Sequence, residues 1–94
     1  MENCLVPMIR EDQGMLIITW NGYMGTLPDP IPLNLSDDDT FRIAEEAVRN
    51  GDVPGIPADP NVRFRKPTFL VDQIPPGNGI TYARVFVRND SALG

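Results

Sequence analysis

Histidine is absent from all 94 residues. That removes the commonest general base, the Ser–His and Cys–His nucleophile pairs and the usual zinc ligand. Cysteine occurs once, as Cys4, so no internal disulfide can form and a reducing cytoplasm is the expected compartment. No apolar run approaches the length that crosses a bilayer. Nothing at the N-terminus reads as a secretory signal, because Glu2 and Pro7 interrupt a very short apolar stretch. Asn34-Leu35-Ser36 and Asn89-Asp90-Ser91 match the glycosylation pattern, and without a signal they read as chance. Positive charge is also scarce: 13 acids face 8 bases, for a net charge of −5. That balance disfavours phosphate backbones and anionic lipid, so neither nucleic acid nor membrane is expected as a partner, and basic or neutral proteins are. An enzyme without histidine would depend on carboxylates, and none is spaced as a paired acid and base. The chain is therefore expected to be no enzyme and to bind no cofactor or metal itself.

What the chain does have is a 41% hydrophobic content, which suits a core, with 10 prolines and 8 glycines that concentrate in loop-like segments. Those segments are Gly25 to Pro32, Gly51 to Pro60 and Pro75 to Gly79. A domain of this size buries roughly 60–65% of its unfolded surface, so the core is thin.

Residues 1–14 carry Leu5, Val6, Met8 and Ile9 before a polar stretch, a pattern equally suited to an edge strand or an ordered arm. Met15 to Trp20 is short, β-branched and followed by Asn21-Gly22, which predicts a strand and a tight hairpin. The return strand from Tyr23 meets Pro28, Pro30 and Pro32, none of which can donate to a ladder. An interrupted edge strand is expected, with Ile31, Leu33 and Leu35 alternating towards the core. Ser36 to Asn50 reads as a helix. Ser36 or one of Asp37, Asp38 and Asp39 caps it, Phe41, Ala44, Ala47 and Val48 form its buried stripe, and Gly51 ends it. On its wet face Arg42 and Glu46 are spaced to pair. Val62 to Phe64 is too short to assign. Thr68 to Ile74 and Ile80 to Arg88 read as strands, the second placing Ala83, Val85 and Val87 opposite Tyr82, Arg84, Phe86 and Arg88.

This order is that of a β-grasp, and the residues resemble the ubiquitin-like family, in particular prokaryotic ubiquitin-like proteins. The resemblance rests on Leu33 and Leu35, on Asp39-Thr40-Phe41 at the helix start, on Ala44 and Val48, and on Gly55-Ile56-Pro57-Ala58-Asp59 before the next strand. It covers about two-thirds of the chain and implies an α+β fold, a mixed sheet of four to five strands with one main helix. The last strand is expected to lie centrally beside Met15 to Trp20. The implied division is an N-terminal extension over 1–14, a β-grasp domain over 15–88 and a tail over 89–94. The chain departs from the family in its longer link to Leu33, in about two extra residues before Gly55, in its N-terminal extension and in a tail with a single glycine and no preceding arginine.

By that resemblance the expected function is that of a protein modifier or carrier. Its terminal Gly94 carboxylate would be adenylated by a ThiF-like activating enzyme, which uses the ATP, and passed to a conjugating enzyme or protein targets, with Leu93 and Ala92 as the threaded tail. Glycine lets the backbone enter a narrow channel, although chains often end in glycine without chemical purpose. Lys66, the one lysine, is the possible isopeptide acceptor. Tyr82, Arg84, Phe86 and Arg88 form the candidate partner-binding surface, being aromatic and Arg-rich, unless Leu5 to Ile9 cover it. Asp37-Asp38-Asp39 lacks the alternation of a calcium loop and reads as capping, and Cys4 has no histidine to activate it. Arg63-Phe64-Arg65-Lys66 is the densest basic segment and reads as protein-facing or solvated. The competing function is a non-covalent, acidic binding module or inhibitor, such as a phage or accessory protein, whose interaction survives loss of the tail and weakens with salt.

Overall fold

Asn21 and Gly22 have φ angles of 55° and 85°, the two positive values that a two-residue hairpin turn of matching twist demands. Around that turn β1, Gln13–Trp20, pairs antiparallel with β2, Tyr23–Thr26. The structure, a computed structural model, describes residues 11–65 and 68–89. The prolines break the return strand as expected. After Thr26 the chain leaves the ladder and rejoins the same edge of β1 as β3, Ile31–Pro32, opposite Gln13 and Gly14.

The helix α1, Asp37–Asn50, starts and stops on local chemistry. Ser36 Oγ accepts from the Asp39 N–H at 3.1 Å, and the Ser36 carbonyl accepts from the Thr40 hydroxyl at 2.9 Å. The second bond explains why Thr40 is the buried polar residue of the helix. Three aspartates occupy the first turn, at the positive end of the dipole. At the other end Gly51 takes a left-handed φ of 75°, and the Gly51 and Asp52 N–H groups bond back to Val48 and Ala47 carbonyls at 3.1 and 2.8 Å. On the wet face Arg42 turns back towards Asp39 at 3.7 Å instead of forward to Glu46.

After the helix, β4 (Phe69–Ile74) and β5 (Ala83–Asn89) pair antiparallel over six positions. β5 also runs parallel to β1, so the sheet order is β2-β1-β5-β4, with β3 beside β1. The described residues form a mixed five-stranded sheet with one helix, an α+β fold of the β-grasp kind, and β5 lies centrally beside β1.

The core lies between α1 and one face of the sheet. Leu16 and Ile18 of β1 and Val85 and Val87 of β5 meet Phe41, Ala44, Ala47 and Val48 of the helix. The segment after the helix adds Val53, Ile56, Val62 and Phe64, all buried without belonging to a strand. Phe64 packs edge-on against Phe69 at a 4.9 Å centroid distance and against Trp20 at 5.4 Å. Such edge-to-face contacts add to what area burial alone supplies.

One close approach fixes how the Gly-Ile-Pro turn sits. A Cβ on Gly25 would come within 2.1 Å of the Pro54 carbonyl oxygen, and one on Gly55, at φ 94°, within 2.8 Å of the Met24 carbonyl oxygen. The turn and β2 therefore pack backbone to backbone, which only glycine at both positions permits.

Candidate functional site

Alternation along β5 divides its side chains. Ala83, Val85 and Val87 are buried on the helix side, and Arg84, Phe86 and Arg88 stand on the outer face. Register then sets their neighbours. Arg84 lies opposite Met15 on β1 and Ile74 on β4, Phe86 opposite Ile17 and Asp72, and Arg88 opposite Leu70. Tyr82 precedes the strand, which begins at Ala83, and is 36% exposed. Met24, opposite Thr19, extends the apolar strip across β2 and is 65% exposed.

Charge on this face is unevenly satisfied. Arg88 Nε donates to Asp72 Oδ2 at 2.5 Å, between two well-exposed side chains. Arg84 Nε is shielded from solvent and has no acceptor among the described residues. A shielded guanidinium donor without an acceptor carries an uncompensated desolvation cost.

A second locus lies at the hairpin end. The half-buried Trp20 closes β1, and its indole N–H donates to Asp59 Oδ2 at 2.8 Å. The Asn61 N–H donates to Asp59 Oδ1 at 2.9 Å. These two bonds, the indole's first, hold the Asp59 carboxyl below its ordinary pKa of 3.8 against the opposing effect of burial. The Asp59 backbone is fastened as well: its N–H donates to the Val48 carbonyl at 3.2 Å and its carbonyl accepts from Val62 at 3.3 Å. Trp20, Asn21, Tyr23, Pro57, Ala58 and Asp59 surround an open pocket of about 260 Å³. Sequence reasoning placed Trp20 in a strand and Asp59 in a turn. Only the lone tryptophan beside the Asn-Gly turn hinted that they belong together.

A third hollow, of about 360 Å³, lies between α1 and the segment before β4, lined by Phe41, Phe64 and the charged Asp38, Arg42, Glu45 and Arg65. Glu45 is committed there to the fold, accepting from the Phe64 N–H at 2.9 Å.

The expected site residues separate accordingly. Arg84, Phe86 and Arg88 share one face. Ala92, Leu93, Gly94 and Lys66 lie outside the described residues, as do Cys4 and the Leu5 to Ile9 segment. Among the described residues no group of three or more acidic or cysteine side chains is placed to hold a metal ion, and no helix is long and apolar enough to cross a membrane. No protein-family model, curated protein or solved structure matches the chain.

Proposed function

We propose that this chain is a ubiquitin-like β-grasp domain that works by docking a protein partner on the outer face of its sheet. The observation that carries this reading is the composition of that face. Phe86, Met15, Ile17 and Ile74 neighbour an Arg84 whose Nε has no acceptor among the described residues, and the exposed Tyr82 lies just before the strand. Aromatic and Arg side chains are the types that dominate interface energetics. The complementary partner surface is apolar and brings one carboxylate to Arg84. The helix-side face is already occupied by the core.

The test is site-specific photo-crosslinking in the native source. Benzoylphenylalanine at Tyr82 should capture one defined protein, and the same group at Glu46, on the exposed face of α1, should not. Equal capture at both positions overturns the reading.

Modifier or carrier chemistry at Gly94 is the second reading. It is favoured by the β-grasp order of the sheet, in which β5 lies centrally and parallel to β1. On this reading the docked partner is a ThiF-like adenylating enzyme. Its test begins with the mass of the native protein, which identifies the mature C-terminus. The full chain and one lacking Gly94 are then incubated with ATP and the activating enzyme. An adenylate, thiocarboxylate or adduct mass that appears only with Gly94 is the expected result, and identical spectra for both chains overturn it.

A further inference from the structure

The geometry points to the Trp20–Tyr23–Asp59 pocket as a binding site for a cationic side chain, arginine or lysine, presented by a protein partner. The pocket is separate from the outer sheet face and does not depend on the docking reading above.

Three features meet there. Trp20 and Tyr23 are cross-strand partners at the hairpin end, and both line the pocket together with Pro57. Trp20 is backed by Phe64 and Phe69, which hold its ring in place and leave the remainder of it to line the pocket. Asp59 supplies a carboxylate to the lining, held beside the indole by their 2.8 Å hydrogen bond. A cation beside an indole and a phenol is attracted by the negative faces of both rings, and a neighbouring carboxylate adds a full charge.

Fold stability accounts for only part of this arrangement. The Trp20–Asp59 hydrogen bond ties β1 to the segment after the helix, which is reason enough to keep both residues. It leaves Tyr23 unexplained, because Tyr23 is 47% exposed and outside the core. A carboxylate presents about four lone-pair sites. The indole and the Asn61 N–H take one on each oxygen of Asp59, and acceptor capacity remains for a guanidinium or ammonium donor. The net charge of −5 favours the approach of a basic partner and disfavours an acidic one.

Trp20 is the one tryptophan, so its indole N–H signal in an NMR spectrum reports this pocket alone. The isotope-labelled full chain is titrated with Nα-acetyl-arginine methylamide, with the lysine analogue and with the neutral citrulline analogue. The expected result is a saturable movement of the indole signal with one or both cations, and affinity roughly tenfold or more weaker for citrulline. Added sodium chloride should weaken the cationic response. Tyr23→Ala should lower affinity roughly twofold to fivefold, the scale of one exposed cation–π contact, at unchanged melting temperature. Asp59→Asn should abolish the preference for cations, and Tyr23→Ala carries the test if that variant does not fold. A non-saturating response, equal affinity for citrulline, or a Tyr23→Ala protein that binds as well as the parent overturns the proposal.

Discussion

The indole N–H of Trp20 donates to the Asp59 carboxylate across 2.8 Å, although 39 positions separate the two residues in the chain. That bond joins the end of β1 to a turn whose backbone is itself fastened to the helix C-terminus through Val48. Strand, helix and connection are thereby pinned at one point.

The pH dependence of that pin has a definite sign. The Asp59 carboxyl is held below 3.8 in the folded protein, so its bond contributes stability above that value and loses it as pH falls through the lowered folded pKa. Trp20→Phe removes the main cause of the shift. The variant should melt below the parent at neutral pH, and the gap in Tm should narrow as pH is lowered below 3.8. A gap independent of pH would show that the loss is packing alone.

Phe64 belongs to no strand, yet it is 2% exposed and touches Trp20, Phe41 and Phe69. Phe64→Ala should cost roughly 3–5 kcal/mol by urea unfolding, a large part of the stability of a small domain. Phe86→Ala, in the middle of the central strand but on the outer face, should cost less. The reverse order would place the core on the wrong face.

Gly25 and Gly22 sit in the same hairpin and differ in what surrounds them. Gly22→Ala meets open space and only the strain of φ 85°, a cost of about 1–2 kcal/mol. Gly25→Ala drives a methyl into the Pro54 carbonyl and should cost more than that, at or above the upper end of the roughly 1–3 kcal/mol typical of overpacking. Paired denaturant curves check the order.

Ser36→Ala removes the oxygen that accepts from the Asp39 N–H and should destabilise the protein by about 1 kcal/mol. Ser36→Asp should restore most of that loss, because a carboxylate accepts the same bond, and chemical denaturation of both variants measures it.

Arg84→Met keeps an unbranched apolar stem and removes the Nε that has no acceptor among the described residues. The free protein should be as stable as the parent or slightly more so, while capture of the outer-face partner should fall. A clear loss of stability would mean that Arg84 already has its partner within the fold.

Much of the fold is legible without coordinates because its devices are local. Asn21-Gly22 requires the hairpin, the prolines after Thr26 interrupt the return strand, and Ser36 and Gly51 bound the helix. Alternation along β5 assigns Ala83, Val85 and Val87 to one face and Arg84, Phe86 and Arg88 to the other. Each is a property of a few consecutive residues, decided by dihedral preference, capping or a period of two. Tertiary structure alone decided that Val62 and Phe64 enter the core without a strand, and that Gly25 and Gly55 meet backbone to backbone. It also brought Trp20, Tyr23 and Asp59 to one pocket. Those arrangements depend on how the segment after the helix folds back over the sheet. No pattern within that segment encodes its contacts, because the groups it must satisfy come from strands and helix turns far away in the chain.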